Sequence, residues 1–144
     1  MSVRVPATSL EADLVRDRIE LLPPKPPVAV SPQTRVGDVL ATMADSRIGC
    51  VLVVEQGKLA GIFTERDALM RLNIEAANLS DQPISAYMTS NPETIAAKSK
   101  IAFALQKMDV GGYRHLPVLD GEKPVGVISI RDILRYLTSR IATG

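Results

Sequence analysis

Apolar residues recur along this chain at two spacings, and the switches between them predict most of its elements. From Ser9 to Leu22 the positions Leu10, Leu14, Val15, Ile19 and Leu22 follow a helical period, with Ser9 placed as a cap and Pro23-Pro24 as a stop. Pro23-Pro24-Lys25-Pro26-Pro27 then reads as a stiff, extended spacer with polyproline geometry. Val28-Ala29-Val30 is a short strand, and Thr34 caps a helix running to about Asp45 that carries Val36, Val39, Leu40 and Met43 on one face. The nearly unbroken run from Ile48 to Val54 predicts a strand covered on both sides. Gln56-Gly57 makes a turn, Lys58 to Phe63 returns as the paired strand, and Thr64 opens a helix with Ala68, Leu69 and Leu72 turned inward.

The same order then returns. Asn73 to Thr89 reads as a connection with a short helical piece from Asp81 to about Met88, Pro83 in its first turn. Glu93 to Ala96 is a strand, and Ser99 caps a helix bearing Ile101, Ala104, Leu105 and Met108. Tyr113 to Leu119 is a strand, Asp120-Gly121 lies in a turn, and Pro124 to Ile128 is the partner strand. Ser129 opens a last helix with Ile133, Leu134, Leu137 and Ile141 on one side. Sliding the chain by 65 residues places Leu40 on Leu105, Met43 on Met108, Val53 on Val118 and Leu72 on Leu137. Only 9 of the 45 pairs in 28–72 against 93–137 are identical, but others, such as Val30/Ile95, Val36/Ile101, Ile62/Val127 and Thr64/Ser129, keep their character. The chain is therefore an internal duplication of a strand, helix, strand, strand, helix unit. It divides into an arm (1–26), repeat one (27–73), a connector (74–90) and repeat two (91–142). A repeat of about 50 residues buries too little surface to be comfortable alone, so the copies are expected to share one core.

Composition adds exclusions. The net charge of +1 gives no electrostatic reason to expect nucleic acid or an anionic membrane as partner. No apolar run reaches the ~18 residues of a spanning helix, and the first residues lack the basic and apolar regions of a secretory signal. A single cysteine, Cys50, cannot form an internal disulfide and suits a reducing, cytoplasmic compartment. His115 is the only histidine, which excludes a two-histidine metal site; it and Cys50 read first as strand residues packed in place. There is no Walker loop, no dinucleotide fingerprint and no nucleophile–base pair, so no catalytic residue is assigned.

The most exact repeat is Gly61-Ile62-Phe63-Thr64-Glu65-Arg66-Asp67 against Gly126-Val127-Ile128-Ser129-Ile130-Arg131-Asp132. Each copy puts a hydroxyl residue where a strand ends and a helix begins. Unpaired N–H groups and the helix dipole suit an anion there, and the arginine adds a planar cation. The carboxylate is better matched to sugar hydroxyls, and the apolar pair can wall a base. Together these groups describe a nucleoside phosphate. The same residues also fit a capping box, in which hydroxyl and carboxylate bond back to the helix start with no ligand. The two roles are compatible.

These motifs, with Tyr113-Arg114-His115-Leu116-Pro117-Val118 and Met88-Thr89, make residues 27–142 resemble a tandem pair of cystathionine β-synthase (CBS) domains, the Bateman module. The resemblance implies a mixed α/β (α+β) fold of two pseudo-symmetric repeats packed as one module with two clefts. It also implies an adenosine-containing regulatory ligand: AMP, ADP, ATP, NAD or S-adenosylmethionine. In such pairs the aspartate meets the ribose, the hydroxyl lies near ribose or phosphate, and strand backbone frames the adenine. One cleft would then use Thr64, Arg66 and Asp67 with Val28, Ala29, Ile48 and Cys50 near the base. The other would use Ser129, Arg131 and Asp132 with Thr94, Ile95, Tyr113, Arg114 and His115. Arg114 and His115 offer more to phosphate than Gly49 and Cys50 do, which ranks the second ahead. The resemblance further implies a homodimer. A stand-alone nucleotide sensor, a docking module without ligand and a small nucleotide enzyme are the functional alternatives, and the last lacks a general base.

Overall fold

The computed structural model describes residues 9–22, 26–72 and 75–143. In chain order its elements are α1 (Leu10–Arg16), β1 (Ala29–Val30), α2 (Val36–Ser46), β2 (Cys50–Glu55), β3 (Lys58–Thr64), α3 (Glu65–Arg71), β4 (Thr89–Ser90), β5 (Ile95–Ala96), α4 (Ile101–Gly111), β6 (His115–Asp120), β7 (Lys123–Ser129) and α5 (Ile130–Thr143). Single 3-10 turns stand at Ile19–Leu21, Leu79–Asp81 and Ile84–Ala86. Both copies follow the predicted strand, helix, strand, strand, helix order.

The chain divides into two compact units. The first-repeat unit is Pro27–Glu93 with Glu122–Pro124. Its sheet runs β1-β2-β3-β4, with β1 parallel to β2 and the other pairs antiparallel. The second-repeat unit holds the arm through Pro26 together with Thr94–Gly121 and the chain from Val125 onward. Its sheet runs β5-β6-β7, with β5 parallel to β6. Each unit closes its own core, against the expectation of a shared one. Val36, Val39, Met43, Val51, Val53, Phe63 and Ile84 form one cluster. Ile19, Leu22, Ile95, Ile101, Ala104, Met108, Leu116, Val118, Ile128, Ile133 and Tyr136 form the other.

Each core closes because a segment ahead of the repeats plugs into it. Thr34 and Ser99 do not cap their helices as the sequence predicts; the N-caps are Arg35 and Lys100, without side-chain cap bonds. A distant carbonyl satisfies the first amide instead. The Val36 N–H donates to the Gln82 carbonyl at 2.8 Å, and the Ile101 N–H donates to the Asp17 carbonyl at 3.0 Å. A lone β-bridge accompanies each bond, Arg35 with Pro83 and Arg18 with Lys100, and a 3-10 turn follows. Ile84 and Ile19, which open those turns, are both buried in their cores.

Other expectations shift for identifiable reasons. The arm is not one helix to Leu22, because Asp17 adopts an extended conformation and ends α1. Backbone bonds then lead the chain along repeat two, from the Ile19 N–H to the Ser99 carbonyl and from the Glu20 N–H to the Ala97 carbonyl. Ser9 does cap α1, accepting from the Ala12 N–H at 3.0 Å. The Pro23–Lys25 part of the predicted spacer lies outside the described residues. The piece from Asp81 to Met88 is two separate 3-10 turns, with Pro83 as N-cap of the second rather than inside a helix. Leu69 is 85% exposed, and Leu134 and Ile141 are also exposed; on α5 Ile133 and Tyr136 take the buried face. The helical period alone fixes a stripe about 100° wide, and its edge positions can fall on either side.

A charged clip fixes the arm to α5. The Asp17 carboxylate accepts from Arg16 Nε at 3.0 Å, from Arg140 Nη2 at 3.1 Å and from the Tyr136 hydroxyl. Asp13, also buried, pairs with Arg16 at 2.6 Å, and the Arg140 guanidinium lies 5.0 Å over the Tyr136 ring. The Arg16 hydrogen bond, with those of Tyr136 and the Arg140 charge, holds the Asp17 carboxyl below its ordinary value against the opposing effect of burial. Burial, and after it the bond to Asp17, pushes the Tyr136 hydroxyl up to about 12.

A carboxyl held low in the fold contributes stability that is complete above its unfolded value, here 3.8, and lost as pH falls through the folded value. Asp17→Asn should cost about 1–3 kcal/mol near neutral pH and flatten the acid side of the stability profile in urea titrations; an unchanged profile would show that the clip carries no net stability. The helix C-caps give a second expectation. Arg47 (φ 53°) occupies the left-handed position that Gly112 (φ 69°) occupies in repeat two, so Arg47→Gly should raise stability by about 0.5–1 kcal/mol in the same assay.

Candidate functional site

Both strand-to-helix junctions realise the reciprocal cap. At the first, the Asp67 N–H donates to Thr64 Oγ1 at 3.1 Å, and the Thr64 N–H returns to Asp67 Oδ2 at 3.0 Å. At the second, the Asp132 N–H donates to Ser129 Oγ at 3.1 Å, and the Ser129 N–H returns to Asp132 Oδ2 at 2.8 Å. The loop before each strand pair also ties to the helix start, Glu65 N–H to the Gly49 carbonyl and Ile130 N–H to the Arg114 carbonyl. The sequence puts Thr or Ser at these points because a hydroxyl can accept from the third amide of the helix while the backbone is still extended.

Beyond the cap the two copies differ. Asp67 is 9% exposed and both its oxygens are engaged within the first-repeat unit. Its Oδ1 accepts from Thr89 Oγ1 at 3.3 Å and pairs with Arg71 Nε at 3.2 Å. Strand β4 also explains Gly61: a Cβ there would lie 2.7 Å from the Thr89 carbonyl and 2.6 Å from the Met88 sulfur. The glycine of the first motif thus serves strand approach. In the second-repeat unit Gly126 and Asp132 line a cavity of about 200 Å³. Its other described lining residues are Ile19, Glu20 and Leu22 of the arm, Ala97, Val118, Val125, Val127 and Ile128. Asp132 is half-buried, and both its oxygens are engaged as well: Oδ2 accepts from the Ser129 N–H and hydroxyl, and Arg135 lies 3.7 Å from Oδ1. Arg66 and Arg131 are exposed, and neither makes an ion pair or hydrogen bond among the described residues.

The remaining candidates sort by unit. In the first-repeat unit Val28 is half-buried and its carbonyl accepts from the Leu52 N–H; Ala29 is exposed, Ile48 packs against the core and Cys50 is buried at the start of β2. In the second-repeat unit Ile95 is buried in the core, and the Thr94 carbonyl accepts from Lys107 Nζ at 2.6 Å. Tyr113 packs its ring over Gly111, Arg114 is exposed and His115 is half-buried at the start of β6. Of the residues singled out from sequence for the site, Asp132 lines the cavity, together with Gly126, Val127 and Ile128 of its motif. The arm residues Ile19, Glu20 and Leu22 were not among them. One signal pointed there: Ile19 and Ile84 stand 65 residues apart, so the duplication runs back into the arm. Among the described residues no group of acidic, cysteine or histidine side chains is placed to hold a metal ion, and no helix is long and apolar enough to cross a membrane.

Two repeats of this topology, each with a hydroxyl–Arg–Asp helix start, define a class of paired small domains. The CBS domain family model matches residues 15–74 and 84–139, and the chain belongs to the CBS-domain family. A CBS domain-containing protein of Arabidopsis thaliana is 35% identical over 114 residues, 79% of this chain and 21% of its own length. The chain thus spans about a fifth of that relative. An uncharacterised 17.7 kDa protein of Acidianus ambivalens is 32% identical over 75% of this chain and 65% of its own. Among solved structures, a CBS-domain containing protein of Agrobacterium tumefaciens matches with a TM-score of 0.70 and 31% identity, covering 77% of this chain and 89% of that one. A CBS domain protein of Pyrobaculum aerophilum complexed with AMP matches with a TM-score of 0.73 and 26% identity, covering 89% and 100%.

Because both Asp67 oxygens are engaged inside the unit, Asp67→Ala removes the carboxylate half of the capping box and takes one acceptor from Thr89 and Arg71. It should destabilise the protein by about 1–3 kcal/mol in chemical denaturation; a loss below a few tenths would mean the bonds are offset by water.

Proposed function

We propose that the protein is a non-catalytic regulatory CBS pair that binds an adenine nucleotide of the AMP, ADP or ATP class and passes its ligand state to a partner. The observation that carries this reading is Asp132. It stands at the first turn of a long helix and lines a mostly aliphatic cavity, beside Arg131 at the helix start. An apolar hollow takes the base, a carboxylate accepts from ribose hydroxyls, and a helix N-terminus with a guanidinium favours phosphate. The AMP complex of the Pyrobaculum aerophilum protein supports the ligand class. NAD and S-adenosylmethionine share the adenosine moiety and remain competing ligands. Regulation follows if the nucleotide binds two arrangements of the protein with different affinity.

A second reading rests on the exposed Leu69 and Met70 of α3 and Leu134 and Ile141 of α5. Such residues suit a docking face, either for a second copy of this chain in a homodimer or for an effector protein. A cytoplasmic setting fits the single cysteine. Light scattering that returns the mass of one chain would count against the homodimer.

Thermal or chemical melting with AMP, ATP, NAD and S-adenosylmethionine decides between the readings. At 100 times its dissociation constant a ligand should add about 2.7 kcal/mol of stability. Asp132→Ala should abolish that gain while costing about 1 kcal/mol of intrinsic stability through the lost carboxylate half of the capping box. Full retention of the gain by Asp132→Ala would place the nucleotide elsewhere, and no gain with any of the four would leave the docking module.

A further inference from the structure

We propose that the cavity at the start of α5 selects a nucleoside or nucleoside monophosphate over a triphosphate, and that Glu20 of the arm is the residue that discriminates. The proposal rests on the nucleotide reading above and narrows its ligand class. Glu20 and Asp132 are the two ionisable side chains among the described lining; the other lining residues are aliphatic or glycine. Neither Lys, Arg nor His lines it among the described residues. Two carboxylates around an apolar hollow accept hydrogen bonds from hydroxyl or amino groups and repel added negative charge.

Size limits what the cavity can enclose. At about 200 Å³ the cavity is smaller than the roughly 300–1,000 Å³ of pockets that enclose a drug-sized ligand. It accommodates a base with its sugar and leaves the phosphate at the mouth. There Arg131, exposed and outside the lining, can meet one phosphate group together with the first turn of α5. Further phosphates would add charge near Glu20, whereas the Asp132 charge is already met by Arg135 at 3.7 Å, and no cation stands among the described lining residues.

The position of Glu20 is built in. Its N–H donates to the Ala97 carbonyl at 2.9 Å, the preceding N–H of Ile19 donates to the Ser99 carbonyl at 2.8 Å, and Leu22 N–H closes the turn on the Ile19 carbonyl at 3.0 Å. Ile19 and Leu22 are buried on either side of it. The backbone therefore holds Glu20 at the cavity, and its exposed side chain can be substituted without disturbing the packing.

Titration calorimetry of the full chain with adenosine, AMP and ATP, without divalent cation and at low salt, tests the proposal on wild type, Glu20→Gln and Glu20→Lys. Wild type should bind AMP at least about tenfold tighter than ATP, and Glu20→Lys should narrow that ratio by about tenfold, with Glu20→Gln between them. Circular dichroism on each variant checks the fold. Equal affinity of wild type for AMP and ATP, or an AMP-to-ATP ratio unmoved by Glu20→Lys, overturns the selectivity and leaves the nucleotide reading standing. Absence of binding by all three ligands overturns both.

Discussion

The structure depends on two amide hydrogen bonds that each helix-opening residue makes to a carbonyl far away in sequence. Val36 donates to Gln82 and Ile101 to Asp17. Neither α2 nor α4 has a side-chain cap, so these bonds satisfy groups that would otherwise be orphaned at the edge of a core. Because the donor and acceptor lie tens of residues apart, the bond also fixes where the leading segment must run. Ile19 and Ile84 follow from that placement, each buried against the sheet and helices of its unit. The charged clip of Asp13, Asp17, Arg140 and Tyr136 strengthens the same placement on the arm side.

That placement determines what the duplicated motif can do. In the first-repeat unit the segment after Ile84 continues into β4, which presses on Gly61 and supplies Thr89 to the Asp67 carboxylate. The first motif is thereby tied to β4 within its own unit. In the second-repeat unit the arm carries Ile19, Glu20 and Leu22 to the wall of a cavity, and the second motif gives it Gly126, Val127, Ile128 and Asp132. Two related heptapeptides thus have different surroundings because different segments cover them.

The sequence exposed the topology well and the site only partly. Strong, short-range signals were legible. The hydrophobic run at Ile48–Val54 covers β2 up to its last residue, the offset of 65 residues gave the second copy, and the hydroxyl–Asp spacing gave both helix starts. What was illegible depends on pairing at a distance. Thr34 and Ser99 look like caps locally, but a remote carbonyl reaches the amide first. Strand β4 is two residues long and exists only through its partner Gly61. Leu69 and Leu134 occupy matching positions at the edge of their helical stripes and both face outward. The arm's part in the cavity was hidden because only Ile19 and Ile84 mark its kinship with the connector, too little to separate from chance.

The exchange of leading segments makes the two units unequal in connectivity. Residues 17–22 complete the unit of the later repeat, and residues 82–88 complete that of the earlier one. The earlier unit is therefore almost continuous, Pro27–Glu93, whereas the later one joins the arm to the far end of the chain. Its core needs Ile19 and Leu22 from the chain's beginning beside Ile133 and Tyr136 from its last helix, while the core of the earlier unit comes from a single stretch.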